Sequence, residues 1–207
     1  MHLTPAEQKV LDRIAASDAP RLLVAIAGPP GSGKSTFAER LRDILAGQGE
    51  SVVVVPMDGY HLDNETLESQ GLLPRKGAPE TFDAEAFATM VEMLRDATDT
   101  ISVPGFDRAA DAVVRDQTTV PQQARVVLIE GNYVLLRTQP WARMANLFDF
   151  KVLLAPSFSV LEERLVSRWL EHGLSPAAAR ARALENDIPN AHTVLEQSTT
   201  ADLVLGE

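Results

Sequence analysis

Short, continuous apolar runs recur along the chain, and the stretches between them carry helical spacing. The runs at 21–27, 51–56, 125–130 and 148–154 lack strict alternation. That predicts strands covered on both faces, as in a parallel sheet. A shorter run at 201–205 predicts a last strand. Between them, Val10, Leu11, Ile14 and Ala15 form one apolar stripe, started by Thr4, Pro5 and Glu7 as a capping box with proline in the first turn. A helix capped by Asp83 is predicted through Ala84, Phe87, Met90, Val91 and Leu94. Another spans about 157–172 and stops at Gly173. The next starts at Ser175-Pro176 and runs to about Asn186, and a short one covers about 190–196. The segment 58–83 is polar and turn-rich, longer than an ordinary connection. Residues 101–108, 112–115 and 118–121 read as short strands of an inserted flap. Strands alternating with helices give an α/β layered sheet, with polar residues gathered at the carboxyl ends of the strands.

The first connection is Gly28, Pro29, Pro30, Gly31, Ser32, Gly33, Lys34, Ser35 and Thr36, followed by an amphipathic segment to about Gly47. A buried strand, a glycine turn and a helix start are the context in which G-x-x-x-x-G-K-[ST] binds phosphate. The glycines let backbone N–H groups curl round phosphate oxygens, and the helix start adds unpaired donors. Lys34 reaches the outer phosphates and the Ser35 hydroxyl can ligate Mg²⁺. Only four of the nineteen basic residues are lysine, so Lys34 stands out.

At 207 residues and 45% hydrophobic content, one domain with a sizeable core is expected over 1–207. There is no cysteine, which excludes disulfides and thiolate chemistry. The first residues show neither a basic nor an apolar secretory region, and the apolar runs are too short to span a bilayer. The expectation is a soluble cytoplasmic protein with no membrane partner. The net charge of -10 opposes a nucleic-acid partner but not a nucleotide, which needs only local donors and an ion.

Phosphoryl transfer also needs a group that takes the acceptor's proton, metal ligands and cations for the moving charge. Asp58, just past a buried run and before a glycine, is the candidate base, although Asp-Gly is also a common turn pair. Glu130 ends its run where an acid anchors Mg²⁺ directly or through water. Arg164 and Arg168 share one helix face and could close over the phosphates. Arg75, Lys76, Arg108 and Arg115 could meet an anionic acceptor. His2, His61, His172 and His192 lack metal-ligand spacing; His61 is kept because it lies three residues past Asp58. A competing reading is a nucleotide-binding regulator or transport-linked NTPase without an acceptor, but no guanine-reading N-K-x-D motif is present.

Further stretches carry a family resemblance: Met57-Asp58-Gly59-Tyr60-His61, the run from Gly71 to Asp83 containing Arg75-Lys76-Gly77-Ala78-Pro79-Glu80-Thr81-Phe82, Pro104-Gly105-Phe106-Asp107-Arg108, and Glu130-Gly131-Asn132-Tyr133. Over roughly 20–206 the chain resembles the P-loop small-molecule kinases, the group of uridine kinase, phosphoribulokinase and bacterial pantothenate kinase. It is most similar to short bacterial proteins called fructose-transport-system kinases. The resemblance implies a three-layer fold with a five-stranded parallel sheet of order 2-3-1-4-5. It implies an inserted acceptor region at about 58–122, a lid at about 157–190, and ATP with Mg²⁺ as donor. Asp58 takes the place of the acceptor-activating aspartate, Glu130 of the acid ending the third core strand, and Arg164 and Arg168 of the lid arginines. Asn190 falls in a segment near the nucleotide base. Tyr60, His61, Arg75, Lys76, Phe106, Arg108, Asn132 and Tyr133 fall where relatives bind the acceptor. The acceptor expected is a hydroxyl of a sugar, nucleoside or pantothenate-like alcohol; a homodimer is compatible with the sequence.

Overall fold

The structure, a computed structural model, describes residues 3–206; His2 lies outside them. In chain order the elements are α1 (Pro5–Ala15), β1 (Leu22–Ala27), α2 (Lys34–Gly47), β2 (Val52–Pro56), α3 (Asn64–Ser69), α4 (Ala84–Arg95), β3 (Ile101–Asp107), β4 (Ala112–Val120), β5 (Val126–Gly131), β6 (Phe150–Leu154), α5 (Phe158–Glu171), α6 (Pro176–Arg182), α7 (Ile188–Gln197) and β7 (Leu203–Leu205).

Five strands form one sheet in the order β2-β5-β1-β6-β7, and every neighbouring pair is parallel. Counted along this sheet alone, the order is 2-3-1-4-5, as the resemblance implies. All six residues of both β1 and β5 are buried, which accounts for the unbroken apolar runs Leu22–Ala27 and Val126–Ile129, with Glu130 the one charged residue in the two strands. Successive side chains of β1 nevertheless go to different layers. Leu23, Ala25 and Ala27 pack with Phe87, Val91 and Leu94 of α4. Val24 and Ile26 pack with Val10 and Ile14 of α1 and Leu41 and Leu45 of α2. The sheet is therefore sandwiched between helices. A separate small cluster, Leu161, Leu165, Ala183 and Ala191, joins α5 to the last helices.

The local signals at α1 hold in detail. Thr4 N donates to Glu7 Oε2 (2.7 Å) and Glu7 N to Thr4 Oγ1 (3.2 Å), closing the capping box. Asp63 caps α3, accepting from Thr66 N at 2.7 Å. This helix lies inside the segment read as turns; Leu67 is its one buried residue, so no periodicity announces it. The flap contains two antiparallel strands rather than three short ones. A register shift between Val103 and Gly105 absorbs the irregularity that broke the pattern. The break expected between the last two helices is also absent. A wider π-turn, Ala183–Asp187, links α6 directly to α7, and Pro189 sits in the first turn of α7, where its missing N–H costs little. Among the described residues no helix is long and apolar enough to cross a membrane.

Candidate active site

Three adjacent strands end at the same edge, and each delivers one polar group. Beyond β1 the chain turns through Gly28 to Gly33 into α2. A side chain at Gly28 would place its Cβ 2.5 Å from Ser32 Oγ and 3.1 Å from Leu154. Gly33 caps α2 with φ +86° and offers no side-chain cap, so the first amides of α2 are left for a ligand. Lys34 and Ser35 open the helix. In the neighbouring strand Glu130 stands in register with Ile26 of β1 and Pro56 of β2. Ser35 Oγ donates to Glu130 Oε1 at 3.1 Å. Two residues past Pro56, in a tight turn over Met57–Tyr60, comes Asp58.

A cavity of about 450 Å³ lies against this edge, within the range of small-metabolite sites. Pro30, Lys34 and Arg168 line its phosphate-loop side. Asp58 and His61 line it from the turn after β2, Phe106 and Arg108 from the β3–β4 hairpin, and Asn132 from just past the end of β5. Arg108, from the β3–β4 tip, donates to Asp58 Oδ2 at 2.9 Å. Lys76 Nζ is held by Asp111 Oδ1 (2.8 Å) and Asn64 Oδ1 (2.7 Å), and lies 5.1 Å from the Phe106 ring centre. His61 sits between Phe82 and Phe106, ring centres 4.0 and 4.6 Å away. Its Nδ1 donates to the Asp58 carbonyl at 2.9 Å. Burial holds its pKa below the ordinary value despite the pull of Asp58, so the neutral ring offers Nε2 as an acceptor.

The same burial acts on the charged pair at the base of the site. It lowers the Lys34 pKa, against the pull of Glu130 and Asp58. It raises that of Glu130, against Lys34 and the Ser35 hydroxyl, with Asp58 adding to the rise. Glu130 Oε2, Ser32 Oγ, Asn132 Oδ1, Arg168 Nε and Asn190 Nδ2 are buried with no hydrogen-bond partner among the described residues. Buried polar atoms are rarely left so; Ser32 in the phosphate loop, Glu130 beside Ser35, and Asn132 and Arg168 on the cavity wall fit a polar ligand, whereas Asn190 lies off that wall. The Ser35–Glu130 pair, with one carboxylate oxygen unmatched, fits a hard divalent cation. Among the described residues no group of three or more His, Cys, Asp or Glu could hold a metal by itself.

Several sequence candidates stand away from the cavity wall. Tyr60 packs edge-on against Phe87 at 5.1 Å, and burial, with Asp83 nearby, pushes its phenol up to about 12. Tyr133 is fully buried and donates to the Gly77 carbonyl at 2.6 Å, fixing the segment that carries Lys76. Arg75 is exposed and paired with Glu80 at 2.9 Å. Arg164 reaches the phosphate loop, Nη1 to Gly31 O at 3.4 Å, while Asn190, on α7, is buried and does not line the cavity. Thr36 is exposed on the first turn of α2. Conversely, Phe82, Asp111, Trp169, Arg182 and Asp187 line the cavity without having been singled out. Phe82 and Asp187 had a signal, Phe82 in the Gly71–Asp83 run of the resemblance and Asp187 in the segment around Asn190.

The sequence pattern of the Phosphoribulokinase / Uridine kinase family matches residues 23–204. The crystal structure of a "putative fructose transport system kinase" from Silicibacter sp. TM1040 superposes with a TM-score of 0.88 at 43% identity, covering 99% of this chain and 100% of that one. A "putative uridine kinase" of Schizosaccharomyces pombe is 35% identical over 194 residues, 89% of this chain and 83% of the relative. A pantothenate kinase of Nocardioides sp. is 33% identical over 156 residues, 72% of this chain and 47% of that protein, so the chain spans about half its length. The chain belongs to the phosphoribulokinase/uridine kinase family and is a P-loop kinase of small molecules.

Proposed function

We propose that the protein transfers the γ-phosphoryl group of ATP to a hydroxyl of a small metabolite: a sugar, a nucleoside or a pantothenate-like alcohol. The observation that carries this is the placement of Asp58 and the Lys34–Ser35–Glu130 group on adjacent strand ends, with Lys34 and Asp58 on the wall of one cavity. A regulator that only bound nucleotide would have no use for the second half of that cavity.

In this reading the α2 amides and Lys34 hold the phosphates. Ser35 and Glu130 would hold Mg²⁺, which when bound neutralises phosphate charge. Asp58 accepts the proton of the acceptor hydroxyl. The oxygen forms its bond to the γ-phosphorus, and the bond to the bridging oxygen breaks with its electron pair leaving on ADP. Arg108 pairs directly with the Asp58 carboxylate and fixes its orientation. Arg168 on the wall and Arg164 on the phosphate loop neutralise the equatorial charge, Arg being suited to it by its planar donors.

Asp58→Asn is the direct test. Turnover should fall by roughly 10²–10⁴-fold, the range for losing a positioned base, while ATP affinity by titration stays close to wild type. Retained turnover of a true acceptor would overturn the role of Asp58.

A further inference from the structure

The acceptor side of the cavity includes Leu73, Lys76 and Gly77, from a segment with no regular structure beyond a single turn over Leu73–Arg75. Its outward carbonyls are not left to water. Arg182 Nη1 donates to Pro74 O at 2.7 Å, and its Nη2 to Lys76 O at 3.2 Å. Asn186 Nδ2 adds a bond to the same Lys76 O at 3.3 Å. These two donors sit at the end of α6 and in the π-turn after it, where an extra residue per turn rotates the following side chains.

The other face of Arg182 leads to the donor side. Its guanidinium lies 5.4 Å from the Trp169 ring centre, and that of Arg168 lies 5.1 Å from it. The indole is pinned, Nε1 donating to Asp187 Oδ2 at 2.6 Å. Trp169 belongs to α5, whose Arg164 touches the phosphate loop. A contiguous path of contacts thus runs from phosphate loop to α5, to Trp169, to Arg182, to the acceptor wall. A path of contacts becomes a coupling only if one site biases the other's equilibrium, and that is measurable here.

We propose that Arg182 is a positioning residue that ties the acceptor wall at 73–77 to the nucleotide-bound arrangement of α5, so that the donor organises the acceptor pocket before the acceptor arrives. This rests on the nucleotide reading of the 28–36 loop. The consequence is positive coupling: by linkage, whatever nucleotide binding does for the wall, the acceptor does for nucleotide affinity.

The wall reports on itself. The amides of Arg75, Lys76 and Ala78 donate within the segment (2.8, 3.1 and 2.9 Å), so their hydrogen exchange requires it to open. With Mg²⁺ and a non-hydrolysable imido analogue of ATP, exchange at these amides should slow about 5-fold or more in the wild type. Arg182→Met keeps the stem and removes the donors; it should bind the analogue with similar affinity yet lose most of that slowing. Asn186→Ala, a second variant should the first not fold, should lose part of it, and Arg182→Lys should recover part. Wild-type slowing retained in Arg182→Met, or an analogue that binds the wild type without slowing these amides, overturns the coupling. Failure of the wild type to bind the analogue, seen separately by titration, overturns the nucleotide reading itself.

Discussion

Asp58 owes its place to register rather than to its own bonds. Pro56 pairs with Glu130, which pairs with Ile26 of β1, and the turn after Pro56 swings Asp58 across the edge. Removing the Glu130 charge while keeping its shape, as in Glu130→Gln, should leave Ser35 a partner but raise the Mg²⁺ concentration for half-maximal activity by about 10–100-fold. An unchanged Mg²⁺ dependence would remove Glu130 from the metal site. His61 gives a pH signature. Its folded pKa lies below the ordinary 6.5, so between the two the unfolded chain holds the extra proton and stability falls as pH drops below about 6.5. The loss of melting temperature between pH 7.5 and 5.5 should therefore be smaller in His61→Gln than in wild type; equal losses would refute a buried neutral imidazole. At this scale the sequence was most legible where a polar residue follows a buried run, as at Lys34, Asp58 and Glu130. It was least legible where neighbours point to different places. Asn132 lines the cavity while Tyr133, one residue on, is core. Asp111, Trp169 and Arg182 come from three separate elements, and nothing in their local pattern links them.

β1, β5 and the phosphate-loop helix follow from composition that the fold then explains, since a strand buried on both faces has no polar side to alternate. β2 carries the same kind of run but lies at the sheet edge with only Val55 fully buried, so the burial on both faces expected of it does not hold. The hairpin is different. It is joined to the turn that carries Asp58 by a close backbone approach, because a Cβ on Gly59 would overlap the Pro104 carbonyl oxygen and lie 2.5 Å from its carbon. Gly59→Ala must push β3 away from the turn that carries Asp58. We expect a stability loss of about 1–3 kcal/mol by urea denaturation. Acceptor-dependent turnover should drop while nucleotide affinity is spared, because α2 and its loop are not involved. Wild-type turnover in this variant would show that the hairpin need not sit against the turn. The shift within β3–β4 and the π-turn before α7 were not legible, since both insert residues into a repeat and look, in sequence, like an interruption.

Across the whole molecule, the strand order does what no single motif could. It sets β5 between β2 and β1, so that the acid, the metal-type carboxylate and the phosphate loop share one edge. The chain carries a net charge of -10, yet Lys34, Lys76, Arg108, Arg168 and Arg182 line one cavity whose acidic lining residues are Asp58, Asp111 and Asp187. Such local focusing suits a triphosphate without making the exterior basic. The central claim is that the cavity has a second substrate, a hydroxyl compound, and phosphorus NMR detects its phosphorylated product whichever compound it is. The protein is incubated with ATP, Mg²⁺ and pools of sugars, nucleosides and pantothenate-like alcohols. The account predicts that ADP accumulates together with an equal amount of one new phosphomonoester, and only slowly when the pool is withheld. ADP and inorganic phosphate released at the same rate with or without the pool would contradict it.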